Sequence, residues 1–191
     1  MRREILACLM IFAYCLGVVL FSFSSKSTLA NQSAPPQAVK SASTFRFASS
    51  ADAPDPNQVL DLINKERLTQ GQAGLVANEK LGSVASARAT DMAKRQYYAH
   101  KAPDGKYYYD YMAASNINVD YSCENLDMIF VPDTTIIIND WLASNKGHSE
   151  CMLSNQVTQA GYAVIKTVDV DFNGKQSPAY IVVAIHTTDI N

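Results

Sequence analysis

The sequence predicts an α+β domain, and three observations predict it. Apolar residues recur at helical spacing from Val59 to Met92, the period changes to two from Gln159 onward, and Asn173-Gly174 supplies a strong short hairpin signal inside the alternating part. Helices first and a terminal hairpin afterwards, with a further strand near Ser122 to Asp127, specify helices packed on a sheet.

The chain begins with a different kind of segment. Arg2 and Arg3 precede an almost wholly apolar run from Ile5 to Phe23, and Thr28-Leu29-Ala30 offers small residues for cleavage. Residues 1–30 read as a secretory signal peptide, or as an N-terminal anchor if uncleaved, the one route by which this chain would meet a membrane. Either way the domain is expected outside the cytoplasm, whether secreted, periplasmic or at the cell surface. Residues 31–54 are rich in Ser, Ala, Pro and Gln without apolar periodicity, the composition of a flexible linker, in which Phe45-Arg46-Phe47 is expected to be a stray hydrophobic spot.

Formal net charge is −2, and loss of Arg2, Arg3, Lys26 and Glu4 with the signal peptide leaves 13 cations against 17 carboxylates, a net of −4. A mildly acidic surface without a Lys/Arg cluster repels phosphate, so no nucleic acid is expected as a partner. Cys8 and Cys15 fall in the removed segment, leaving Cys123 and Cys151 as an even pair in an oxidising compartment, where a disulfide is the natural state. The rival use, a thiol nucleophile activated by a histidine, needs an unpaired cysteine.

The folded domain, residues 55–191, should open with Asp55 capping a helix whose first position is Pro56. Val59, Leu62 and Ile63 form its core face, with Glu66 and Arg67 on a solvated side. Asn78-Glu79 starts a second helix with Leu81, Ala85, Ala89 and Met92 inward and Arg88, Asp91, Lys94 and Arg95 outward. It runs into Tyr97-Tyr98-Ala99-His100, followed by the turn Pro103-Asp104-Gly105. The tyrosines from Tyr107 to Tyr111 suit a core edge or a ligand groove, and a short helix is expected around Asp110 to Ser115. Asp133 can cap a helix through Trp141, and Asn145-Lys146-Gly147 ends it before His148. Tyr162 through Val170 and Tyr180 to His186 make the hairpin strands.

Three residues stand out chemically: His100, Glu124 and His148. Two neutral imidazoles suit zinc or another divalent cation, with Glu124 orienting one of them or acting as a general base. The alternative is structural, with histidines at helix ends and Glu124 in an ion pair. His186, late in an alternating strand, reads as an ordinary strand residue.

Taken in order, Tyr98-Ala99-His100, Pro103-Asp104-Gly105, Glu124-Asn125-Leu126, Trp141, Gly147-His148 and Gln159-Ala160-Gly161-Tyr162 resemble the motifs of bacterial members of the CAP superfamily, the SCP-like domain of cysteine-rich secretory, antigen 5 and pathogenesis-related 1 proteins. The resemblance covers roughly Pro56 to His186. It implies a three-layer α-β-α sandwich with a central antiparallel sheet, and a cleft holding two histidines and acidic residues that takes a divalent ion in some members. His100, Glu124 and His148 match the cleft positions. Cys123 replaces the glycine before the glutamate, Ser144 stands where many members carry a second glutamate, and Ser149-Glu150-Cys151 replaces Arg-Ala-Asn. By analogy the chain is a binding module for a lipid, glycan or peptide, more than a classical enzyme. The alternatives are a metal-assisted hydrolase of peptide or cell-wall material, with Glu124 as the candidate catalytic residue, and a structural or host-interaction module. A Cys123–Cys151 bridge would tie both site-bearing segments together.

Overall fold

The structure, a computed structural model, describes residues 45–167, 170–172 and 175–190; residues 1–44, which include the segment expected to be a signal peptide, and Asn173-Gly174, expected to form a hairpin turn, lie outside the described residues. In chain order the elements are α1 (Pro56–Thr69), β1 (Val76–Ala77), α2 (Glu79–Arg95), α3 (Tyr108–Ala114), β2 (Ser122–Ile129), α4 (Thr134–Ala143), α5 (His148–Met152), β3 (Gln159–Lys166), β4 (Val170–Phe172), β5 (Lys175–Ser177) and β6 (Tyr180–Thr187). Four strands form a sheet in the order β1-β3-β6-β2, antiparallel except where β1 lies parallel to β3, while β4 and β5 make a separate ribbon. The expected long strand to Val170 therefore stops at Lys166, and the chain continues into the ribbon.

The layers follow from burial. α1 and α4 cover one sheet face through Val59, Ile63, Ile137 and Trp141; α2 and α3 cover the other through Leu81, Val84, Ala85, Met92 and Met112. With a helical layer on each side, β6 is buried at every residue, which explains its nearly continuous apolar run. This is the expected α-β-α sandwich. Helix starts obey local chemistry: Asp55 accepts from the Asn57 amide at 2.9 Å, Asn78 from the Leu81 amide at 3.2 Å and Asp133 from the Thr135 amide at 2.9 Å. Gly161 lets α2 approach β3, because a Cβ there would overlap the Leu81 carbonyl carbon and the Gly82 nitrogen.

Three expectations are corrected. Phe47 is not a stray spot in a tether: it is 6% exposed and packs edge-on against Tyr162 with ring centroids 5.7 Å apart. Its backbone is clamped at both ends by Asn57, which accepts from the Phe47 amide at 2.9 Å and donates to its carbonyl at 3.1 Å. Arg67, expected on a solvated face, is 2% exposed and donates to the carbonyls of Ala73, Met152, Ser154 and Val157, tying the end of α1 to the loop before β3. Arg88 is fully buried and belongs to the site. Each arginine is inside because fixed oxygen acceptors receive its donors.

Candidate functional site

β2 organises the site. As the outermost strand of the sheet beside β6, it sends alternate side chains to opposite faces: Glu124 toward α2, Cys123 and Asn125 toward α5. Arg88 on α2 donates from Nε to Glu124 Oε1 at 3.0 Å, with both side chains almost completely buried. Its remaining donors reach the Tyr97 hydroxyl at 2.9 Å and the carbonyls of Ala99 and His100 at 3.1 and 3.0 Å. One guanidinium thereby fixes both the carboxylate and the loop that carries His100. Burial opposes its charge, but the hydrogen bond and attraction of Glu124 outweigh that and raise its pKa.

His100, with its side chain 49% exposed, has Nδ1 at 2.8 Å from Glu124 Oε2. A carboxylate only accepts, so Nδ1–H is the donor, and a neutral imidazole then keeps its lone pair on Nε2. The His148 ring lies 6.4 Å from the His100 ring, centroid to centroid. Gly147, at φ 91°, makes the left-handed bend that opens α5 with His148 as its first residue. Asn125 Nδ2 holds the His148 carbonyl at 2.9 Å, and Cys123 and Cys151 form a disulfide with Cα atoms 5.9 Å apart. The Glu-Asn pair thus serves both histidines from one strand, Glu124 on one face and Asn125 on the other. Trp141 pins α4 to the same strand by donating to the Leu126 carbonyl at 3.0 Å. Burial, with His100 and Lys146 nearby, lowers the His148 pKa, which favours the neutral imidazole.

Two acidic residues absent from the sequence expectations adjoin this cluster. Asp127, three residues after Glu124, is 9% exposed; burial, then the charge of Asp140, push its carboxyl up to about 6. Tyr98 sits among Asp127, Asp140 and Glu124; burial and these charges raise its hydroxyl pKa, although the ring is 44% exposed. The available signal was a lone carboxylate inside the apolar run Leu126-Asp127-Met128-Ile129. Behind Tyr98, on the α2 side, lies an apolar cavity of about 150 Å³ walled by Met92, Met128 and Ile181. Neither His100 nor His148 lines it.

His100, Glu124 and His148 are gathered as neighbours, yet they do not converge on one point as three ligands. Among the described residues the one such group is Cys123, Cys151 and His186. Its sulfurs are bonded to each other, so in the oxidised state they offer no thiolates. His186 is no ordinary strand residue. It is fully buried, with Nε2 at 2.8 Å from the Tyr162 hydroxyl and Nδ1 at 3.3 Å from Cys151 Sγ, and burial first, then Arg67, lower its pKa to about 3.

The fold agrees with sequence and structural similarity. Residues 60–185 match the CAP, cysteine-rich secretory protein, family, and the chain belongs to that family. It is 28% identical over 135 residues to the Bacillus subtilis protein YkwD, covering 70% of this chain and 51% of that one. It is 27% identical over 107 residues to the Bacillus subtilis membrane protein YlbC, covering 56% and 30%. The chain therefore spans about half the length of the first relative and less than a third of the second. In structure it is similar to an extracellular SCP-domain protein of Bacillus anthracis, with a TM-score of 0.58 and 20% identity over 70% of this chain and 40% of that one. An outer surface protein of Borrelia burgdorferi aligns with a TM-score of 0.57 and 17% identity over 69% and 90%. At these identities the structural likeness establishes the fold.

Proposed function

We propose that this CAP domain works outside the cytoplasm as a ligand-binding module, and that its cleft takes a lipid, glycan or peptide with a divalent cation held by His100 and His148. The observation that carries the reading is the His100–Glu124 bond. It uses Nδ1–H and leaves the lone pair on Nε2 of a half-exposed imidazole, whose ring centroid lies 6.4 Å from that of a second imidazole whose protonation is disfavoured. Two imidazoles suit zinc and leave its other positions to water or ligand, so the cation is held weakly and is shared with whatever binds. When bound it supplies a Lewis acid; the chain's own residues orient it, with Arg88 and Glu124 holding His100, and Asn125 and the disulfide holding His148.

The neighbouring cavity favours a ligand with an apolar part. An apolar space of about 150 Å³ accommodates a group the size of benzene, and Tyr98 forms its wall on the side of the acidic residues. An amphipathic lipid meets both demands, an apolar end behind Tyr98 and a polar end at the histidines. The extracytoplasmic setting is supported by the signal-like N-terminus and the disulfide; no helix among the described residues is long and apolar enough to cross a membrane. Both oxygens of Glu124 are engaged, by Arg88 and His100, which suits an orienting residue better than a free base. The hydrolase reading draws on Asp127 instead, whose carboxyl near 6 suits proton transfer at neutral pH.

Zinc titration by calorimetry on the chain from residue 31, beside a His100→Ala/His148→Ala variant, tests the proposal. One-site binding that disappears in the folded variant supports it. Absence of binding to the intact protein sinks the cation and leaves an organic-ligand cleft, to be probed with lipid alone. Peptide or glycan hydrolysis lost in Asp127→Asn would transfer the case to the enzyme reading.

A further inference from the structure

We infer that Cys123, Cys151 and His186 form a second, reduction-gated metal site: breaking the disulfide creates a buried two-sulfur, one-nitrogen set for a soft cation such as zinc. The three residues come from β2, α5 and β6, so the sheet and a helix fix their backbones independently of the bond between the sulfurs. Their ligand atoms already lie within 4.8 Å of one another, with Cys151 Sγ and His186 Nδ1 at 3.3 Å. Tetrahedral zinc, with sulfur at about 2.3 Å and nitrogen at about 2.0 Å, sets its ligand atoms roughly 3.5–3.8 Å apart. The Cys151 sulfur-to-nitrogen spacing is close to that value, and the two sulfurs have to part, by side-chain rotation.

The surroundings complete the case. A metal-bound histidine needs its other nitrogen held, and Tyr162 on β3 stands 2.8 Å from Nε2, placed to accept its proton and leave the Nδ1 lone pair toward the sulfurs. Zinc with two thiolates and a neutral imidazole carries no net charge, which a buried site tolerates and a bare dithiolate does not. Cys123 is the more exposed of the pair, with Cys151 only 5% exposed, so the reductant enters at Cys123.

The chemistry balances with a dithiol reductant. Its thiolate attacks Cys123 Sγ, the bond between the cysteines breaks, and its electron pair leaves on Cys151 Sγ. The second thiol of the reductant then attacks the mixed disulfide and closes the reductant into its own disulfide. Two electrons have passed to the cysteines, which end as thiols, and metal entry releases their two protons to water.

Cobalt(II) titration of the protein, oxidised and after reduction, tests the site. The expected result is a thiolate-to-cobalt charge-transfer band that saturates at one ion in the reduced protein, is displaced by zinc, and is missing from the oxidised protein. Tyr162→Phe should keep the band and weaken binding by about tenfold; His186→Gln should weaken it further and change the band. A cation held only by His100 and His148 would give no thiolate band and would bind alike in both redox states. Lack of the band in reduced protein overturns the inference. So does loss of the near-ultraviolet circular dichroism on reduction in the presence of metal, or a band of equal strength and affinity in urea, which would mark unstructured thiols.

Discussion

Arg88 carries more of this site than its place on a polar helix face suggests. It is the counterion of a buried carboxylate and also the donor to two loop carbonyls, so its removal strands Glu124 and releases His100 together. Arg88→Ala should lower stability by about 3–5 kcal/mol, the cost of an uncompensated buried charge, and weaken zinc binding in parallel. Urea denaturation beside calorimetry checks both. Asp127 is the opposite case, a buried carboxyl whose charge is unwelcome. Its pKa is raised on folding from 3.8 to about 6, so the folded state takes its proton more readily than the unfolded state. The penalty is fully present above pH 6, is relieved as pH falls, and is gone below 3.8. Asp127→Asn should therefore be more stable than the parent at pH 7, with the gap closing between pH 6 and pH 4; denaturation midpoints across that range test it. His100 and His148 were legible because histidine is rare here and each follows a helix end, and Glu124 because it opens the Glu124-Asn125-Leu126 motif. Arg67 and Arg88 were not, since a buried arginine and a solvated one read alike until the acceptors from distant segments are known.

β2 shows how one strand divides its work by parity. Its even positions serve the loop of His100 and its odd positions serve α5, so the disulfide and the Glu124 cluster share a backbone without sharing a face. The bridge spans 28 residues, for which chain entropy gives about 3–4 kcal/mol. Cys123→Ser/Cys151→Ser should lose stability of that order, seen in thermal unfolding, and bind zinc less tightly at His148 because α5 is then held only by packing and Asn125. Cap residues made α1, α2 and α4 legible in the sequence. The two-residue β1 and five-residue α5 were not, because elements so short carry no period and are set by what they meet, β3 for β1 and Asn125 on β2 for α5.

The molecule as a whole starts earlier than its first helix. Phe47 fills the groove between α2 and β3 where Gly82 leaves room, and a Cβ at Gly82 would press against its ring. A chain begun at residue 55 should melt below one begun at residue 31, and Phe47→Ala should reproduce most of the loss, about 3 kcal/mol or less for a ring on the rim of the core. Composition hid this contact: two phenylalanines amid Ser, Ala and Pro give no period, and their receptor is assembled from α1, α2 and β3. Gly161→Ala should be costlier than its size suggests, by about 1–3 kcal/mol or more, since backbone and not a side-chain tip must move.

The bonds that hold the neighbours of β2 have an effect beyond the cleft. Ser122 and Leu126 give their carbonyls to Tyr108 and Trp141, at 2.9 and 3.0 Å, and the Met128 amide is taken by Asp127 at 2.8 Å. These are backbone groups on the rim that no strand among the described residues covers, while the opposite rim, β1, is two residues long. A row of unclaimed amides and carbonyls is what recruits another chain into a growing intermolecular sheet. Here one border is plugged by side chains and the other is too brief to template, so the four-stranded sheet resists edge-to-edge aggregation without being closed into a barrel.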